Sequence, residues 1–518
     1  MSPRCKKVDR LSSLPEKVHS VILSLMPTKF AVRTSILSKR WRYTWTLIHN
    51  LDFDDIRSNS YSHVDRVLML CKTTCVKILR LHFSKTKIHV PDSTVSRWIS
   101  EAVRLNGVKS LKDESQIILS KRWRYTWTLI HNLDFDDIRS NSYSHVDRVL
   151  MLCKTTCVKI LRLHFSKTKI HVPDSTVSRW ISEAVRLNVS ELDISNVGLP
   201  LSLFTCNTLS KLSLKLIEHY NKFSLECPPS IYLPNLKTLD IIAMSERFDY
   251  ANPISCDNIF KLIHGCPLLE DLSLKIHLPY NTEDLYFKAP TLKRLRLALS
   301  YGSSRDIHKV VLNVPNLEYL HIEEGFAKCS LFVMEDLSSL VKAKVSCGVF
   351  YNHLWVELVK GLSKVRNLTL DTASEVIGHA FKNVHFPEFP HVKKLDLVGC
   401  DPFTLREMLR FQILKRFCQL EHLCIKKEQE GRWSEPNSFP TLTFTNMLTV
   451  EYTDTTCWEE FNTNFLKFIL ANAIDLKKLI VRYNSDLVTC KEREQLDAEL
   501  SMLPRASRNC QIHLAPYN

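Results

Sequence analysis

Apolar positions along the chain follow different periods in different stretches. After Ser12-Ser13-Leu14-Pro15-Glu16, the residues Val18, Val21, Ile22 and Leu25 recur at i, i+3, i+4, i+7, which predicts an amphipathic helix. The serines suit a helix cap, the proline a first turn and the acid the positive helix end. Pro27 stops that helix, Thr28 is placed to cap a second with Val32 and Ile36 inward, and Ser38 to cap a third over residues 39–45. Three short helices make a marginal core, so such a module gains by burying its remaining apolar residues against a partner. Val18, Val21, Val32 and Ile36 are expected to hold the helices together, and Leu14, Pro15 and Leu37 to face outward.

From Val189 onward a different spacing takes over, L-x-x-L-x-L with aliphatic substitutes. Examples are Val189/Leu192/Ile194, Leu236/Leu239/Ile241, Leu292/Leu295/Leu297 and Leu420/Leu423/Ile425, with successive starts 20 to 33 residues apart. Pro234, Pro267, Pro290 and Pro315 precede four of these runs at a similar offset. The spacing is that of leucine-rich repeats: each run is a short strand with its leucines in a shared core, and alternate residues line the concave face. Ser213, Asp240, Ser273, Arg296, His321, Thr369 and Asp396 are among those outward residues, a face of mixed charge that suits a protein or small ligand better than a phosphate backbone. The asparagine ladder of many such repeats is absent after L-x-L, which predicts an irregular outer side. Past Pro436 the spacing loosens. Phe461, Phe465, Phe468, Ile469 and Ala473 predict a helix, Leu476/Leu479/Val481 a strand, Leu496, Leu500 and Leu503 a second helix stopped by Pro504, and Cys510, Ile512 and Leu514 a closing strand. The fold class is therefore α/β: a short three-helix module, a solenoid of parallel strands with helices or irregular outer segments, and a small α+β C-terminal cap.

One long repeat is of another kind. Residues 36–106 recur without change as 118–188, separated by residues 107–117. Identity that complete points to a recent duplication or to an error in assembling the coding sequence. Both copies cannot fill one slot. Residues 36–51 are expected to complete the N-terminal module, 158–188 to supply the first regular solenoid turns, and 107–141 to be a poorly packed insertion, since the second ILSKRWRYTW lacks the helices that precede the first. The expected organisation is 6–51 for the helical module, 52–157 for the duplicated segment, 158–435 for the repeats and 436–518 for the C-terminal unit.

Charge and composition narrow the function. The net charge is +15, of which the second copy and its spacer contribute six through fourteen Lys/Arg against eight Asp/Glu. Residues 1–50 carry ten Lys/Arg and two Asp/Glu, so an acidic partner, or nucleic acid as its rival, is plausible there. The ten glycines include no G-x-G, and no H-E-x-x-H or G-x-S-x-G occurs, so phosphate-cradling loops and the common hydrolytic motifs are missing. Cys71 and Cys75 at i, i+4, with His82 nearby, raise zinc, but no second ligand pair accompanies them and buried thiols are expected. The odd total of 17 cysteines, with no apolar signal segment, favours reduced thiols in the cytoplasm or nucleus. No segment is apolar enough to span a membrane. No catalytic residue, metal or cofactor is expected; the chain is read as a binding protein, not an enzyme.

Residues 9–45, DRLSSLPEKVHSVILSLMPTKFAVRTSILSKRWRYTW, resemble the F-box common in plants, through Leu14-Pro15, Ile22-Leu23-Ser24, Pro27-Thr28-Lys29 and the run Thr34-Ser35-Ile36-Leu37-Ser38-Lys39-Arg40-Trp41. Glu16, Val18 and Met26 are mild departures. Residues 503–507, Leu-Pro-Arg-Ala-Ser, with Cys510-Gln511-Ile512, resemble the FBD domain found after plant F-box and leucine-rich repeats. The resemblance implies docking to a Skp-type adaptor and through it to a cullin, with Leu14, Pro15, Ile22, Leu25, Leu37 and Trp41 in apolar contact and Lys39 and Arg40 beside them. It implies a substrate-recognition adaptor of an SCF ubiquitin ligase, whose repeats bind an unknown protein target. The competing readings are a basic nucleic-acid-binding protein, which the apolar stripe and the Leu-Pro start disfavour, and a poorly folding product of a duplicated coding sequence.

Overall fold

The computed structural model describes residues 15–38, 41–56, 62–71, 78–83, 131–138, 143–153, 157–165, 172–195, 198–218, 227–245, 256–278, 283–301, 307, 309–324, 330–347, 352–371, 386–429, 443–456 and 463–517. They fall into two compact units, Met1–Leu209 and Ser210–Asn518.

In the first unit, helix Glu16–Ser24 begins after Pro15 and a second, Thr28–Arg33, after Pro27. Both prolines hold the extended backbone that leads into a helix, and no side chain caps either helix. Thr28 is the first residue of its helix rather than its cap. Among the described residues the third expected helix is reduced to a turn at 41–43 and a 3-10 segment, Thr44–Leu47, because Ile48 turns extended and strand Asn50–Ile56 follows. That strand pairs in parallel with Ile78–Phe83, with helix Ser62–Leu70 between them in sequence.

The second copy builds the same local unit. Strand Asn132–Ile138 pairs with Ile160–Phe165, which in turn pairs with Glu191–Ser195. The end of the stretch expected to be a loose insertion is therefore a strand, with Leu133 and Ile138 buried; residues 107–130 lie outside the described residues. Helix Asp174–Arg186 supplies Val177, Trp180, Ile181 and Ala184 to the core. It ends where Asn188 adopts a left-handed φ of 54°, and the Val189 N–H reaches back to the Ala184 carbonyl at 3.1 Å.

The second unit is an ordered ladder. Parallel strands Lys211–Glu218, Thr238–Ser245, Asp271–Leu278, Arg294–Tyr301, Tyr319–Glu324, Lys342–Cys347, Asn367–Asp371, Lys394–Cys400 and His422–Lys427 lie side by side in chain order. Their leucines stack in register, Leu239 against Leu212 and Leu272, and Leu395 against Leu368 and Leu423. All six are buried, each worth roughly 1.5–3 kcal/mol relative to exposure. Parallel neighbours need a crossover. Helices Cys256–His264, Asn352–Gly361 and Pro402–Arg410 supply some. Others are strands: Leu285–Lys288, Lys309–Asn313 and Leu331–Asp336 form a second, three-stranded parallel sheet.

The C-terminal residues extend the same ladder with alternating strands and helices. Strands Thr449–Asp454, Lys478–Asn484 and Gln511–Tyr517 add to it in parallel. The Thr449–Asp454 strand was not expected, although Met447/Val450/Tyr452 repeat the spacing with substitutes and all three are buried. Helix Asn464–Asn472 buries Phe465, Leu466, Phe468, Ile469 and Leu470; Phe461 lies outside the described residues. Helix Cys490–Met502 starts with a reciprocal capping box between Thr489 and Glu492. The last strand has one neighbour and carries Pro516 opposite Tyr483. Where the strands at 427 and 454 end, the fully buried Lys427 ammonium donates to both Asp454 carboxylate oxygens at 3.3–3.4 Å and to Thr456 Oγ1 at 2.8 Å. The Tyr452 hydroxyl donates to the same carboxylate, and burial pushes its pKa well above the usual value.

Candidate functional site

The N-terminal module is built inside out relative to its sequence pattern. Helix Glu16–Ser24 turns His19, Ser20 and Leu23 inward, where all three are buried. Hydroxyls fix that face. Ser20 Oγ donates to the Leu47 carbonyl at 2.8 Å, Ser24 Oγ accepts from the His49 N–H at 3.1 Å, and Thr28 Oγ1 accepts from the Asp52 N–H at 2.7 Å. The two helices are thus clasped to the strand through its backbone. The apolar stripe lies on the other side: Val21 is 59% exposed, Leu25 81%, Ile36 85% and Leu37 66%, with Val18 and Phe30 also exposed. Val18, Val21 and Ile36, expected in the core, are outside it, and Val32 is half-buried. A helical stripe shows which residues share a face; it does not show whether that face meets the chain's own core.

Of the residues expected at the adaptor contact, Pro15, Leu25 and Leu37 are exposed and Ile22 is half-buried. Leu14, Lys39 and Arg40 lie outside the described residues. Trp41 is the correction: it is 6% exposed and its ring lies 4.5 Å from that of His19, so it packs the module from within. Trp45 and Ile48 are buried with it. Lys29, Arg33 and Arg42 are exposed around the stripe, and the Arg33 guanidinium lies 5.8 Å from the centre of the Phe30 ring. An apolar patch with a basic rim is the anatomy of a protein interface.

The thiols at 71 and 153 are buried, and Cys71 Sγ donates to the Thr46 carbonyl at 3.5 Å; Cys157 is exposed. Cys75 and the side chain of His82 lie outside the described residues. Among the described residues no group of three His, Cys, Asp or Glu could hold a metal, and no helix is long and apolar enough to cross a membrane.

The second candidate surface is the open face of the ladder, where residues alternate with the buried leucines. Asp240, Ser273, Arg296, His321, Thr369 and Asp396 stand there as expected; Ser213 is buried. Charge is segregated along this face, with Arg296 and Lys344 on strands that flank His321, and Asp396 and Glu451 on strands that flank Cys424. Burial, followed by Glu451 and Asp396, pushes the Cys424 thiol up to about 11.

A clasped helical pair with its apolar stripe outward is thus followed by a ladder of leucine-rich repeats. The F-box domain model matches residues 11–52, so the module is an F-box. Over 435 residues the chain is 29% identical to an Arabidopsis thaliana protein named "Probable FBD-associated F-box protein", covering 79% of this chain and 96% of the relative. It is 25% identical over 461 residues to an F-box/FBD/LRR-repeat protein of the same plant, 83% of this chain and 96% of that one. With an FBD-associated F-box protein it shares 25% over 512 residues, 96% and 99% of the two chains. The chain thus carries an F-box match at its N-terminal module, and its resemblance to the plant F-box, leucine-rich-repeat and FBD proteins runs through most of its length.

Proposed function

We propose that this chain is the substrate-recognition subunit of an SCF-type (cullin–RING) ubiquitin ligase. The F-box docks to a Skp-type adaptor and through it to the cullin, and the repeats hold a protein target, in the cytoplasm or nucleus. The observation that carries the reading is the outward stripe of Val21, Leu25, Ile36 and Leu37 on a module matched by the F-box model. Side chains of that kind, left in water on a small helical pair, gain by burial against another subunit. The chain makes and breaks no bond in this scheme; it raises the concentration of the target beside chemistry done elsewhere.

The test is co-expression of the full chain with a Skp-type adaptor, followed by size-exclusion chromatography. The exposed Leu25→Asp and Leu37→Asp changes each place a charge where the interface would close. Together they are expected to weaken adaptor capture by more than roughly 30-fold, the scale of a lost hot spot, while the chain's melting temperature holds. Adaptor capture that survives both changes would sink the reading.

A further inference from the structure

Across strands Arg294–Tyr301, Tyr319–Glu324 and Lys342–Cys347 the open face is a small regular grid. Its first row is Arg294, Tyr319, Lys342 and its second Arg296, His321, Lys344, each residue directly beside the next by strand register. Arg294, Arg296 and Lys342 are exposed and Lys344 is half-exposed. Within these rows the nearest acid is Asp271 on the preceding strand, which accepts from Arg294 at 2.9 Å and lies 3.3 Å from Arg296. On the other side the rows continue into Asn367 and Thr369, which are neutral, and Lys342 and Lys344 make no ion pair among the described residues. The second row reaches acids again two strands out, at Asp240 beyond Arg296 and Asp396 beyond Lys344, and the third row holds Glu323 and Asp371.

Like charges gathered on one face of a sheet repel; Asp271 offsets this for the arginines, whereas no ion pair among the described residues offsets it for the lysines. His321 registers the surrounding charge: burial lowers its pKa, Lys344 and then Arg296 push in the same direction, and Glu323 and Asp371 oppose them in part. Tyr319 adds an aromatic centre, with the Arg296 guanidinium 5.9 Å from its ring centroid. Strands lie about 4.8 Å apart, so the arginine pair and the lysine pair stand about 10 Å from each other; within each pair the residues are about 7 Å apart along the strand. One phosphoryl group cannot span both pairs. The carboxylates of an extended chain, which recur on one side about every 7 Å, can reach them in turn.

We propose that this grid is the recognition site for an extended segment of the target rich in Asp and Glu, with Arg294, Arg296, Lys342 and Lys344 as the specificity-determining residues. The inference rests on the reading of the repeats as the target-binding part. The lysines, without an ion pair among the described residues, can engage a ligand as they stand, and Asp271 holds the arginines in place until a ligand carboxylate competes for them.

The experiment uses the full chain co-purified with its adaptor and a fluorescent peptide of alternating Glu and Ser, followed by anisotropy at about 50 and about 300 mM salt. The Glu peptide is expected to bind at least about tenfold more tightly than its Gln counterpart and to weaken with salt. The Lys342→Gln/Lys344→Gln double variant is expected to lose about tenfold in affinity, Lys344→Arg to retain it, and Lys478→Gln, farther along the ladder, to change nothing. Equal binding of the Gln peptide, indifference to the double variant, tighter binding of a peptide carrying a single phosphoserine, or displacement by an RNA of equal charge would each overturn the inference. Adaptor capture on the same samples separates the two claims. Captured adaptor with no peptide binding removes the acidic-segment site alone, and peptide binding without adaptor removes the ligase reading alone.

Discussion

Residues 50–71 and 132–153 are the same amino acids set beside different neighbours. Both fold into a strand followed by a helix, and both strands find the same partner segment in the same register, Asn50 opposite Ile78 and Asn132 opposite Ile160. Even the irregularity recurs, between Phe53 and Ile56 and between Phe135 and Ile138. Burial is where they part. Phe53 is buried and Phe135 only half-buried. The first copy donates the His49 and Asp52 N–H groups to hydroxyls of the F-box helices, whereas the second copy continues into Glu191–Ser195. One repeat carries its own secondary structure; what surrounds it decides how much of its apolar face is covered.

The sharpest way to break this comparison is to make one substitution in each copy. Phe53→Ala is expected to cost about 3–5 kcal/mol, as for a filled aromatic site. Phe135→Ala should cost about 1–2 kcal/mol, since less area is lost. Denaturant unfolding of the full chain measures both, and equal costs would mean that the two settings do not differ. Next in size is Thr28→Val, which has no counterpart before the second copy. It leaves the Asp52 N–H without its acceptor, at about 1–3 kcal/mol, and faster hydrogen exchange at that amide is the expected sign. The smallest effect is expected from the largest change. Deleting residues 107–188 would bring Ile78–Phe83 to the place beside Glu191–Ser195 now held by an identical strand. Stability is expected to stay within about 1 kcal/mol or to rise, and adaptor capture to be unchanged. A marked loss of folded protein would show that both copies are structural.

Much of the ladder was legible in the residues, because L-x-x-L-x-L states both the strand and the side that is buried. Leu236/Leu239/Ile241 needed nothing more. Met447/Val450/Tyr452 keeps the spacing but hides it behind a tyrosine, and the three outer strands are short apolar runs that could equally end a loop. The faces of the F-box differ from expectation where a helix has a second, less apolar side: Ser20 and Ser24 turn inward through hydrogen bonds to Leu47 and His49, just before the strand that begins at Asn50. No local signal marks Lys427 and Asp454 as partners, since they meet only once neighbouring strands align. The basic grid had the same difficulty. Arg296 and His321 were seen to face outward, but the charge they share with Lys344 exists only across strands.

Pro516 has a consequence at the far end of the ladder. A terminal parallel strand offers a row of backbone groups on which another molecule could add its own strand, and head-to-tail addition of that kind does not close. Proline lacks the N–H that such a contact would use. The residue thus leaves that strand one backbone donor short, a feature that disfavours continued strand addition.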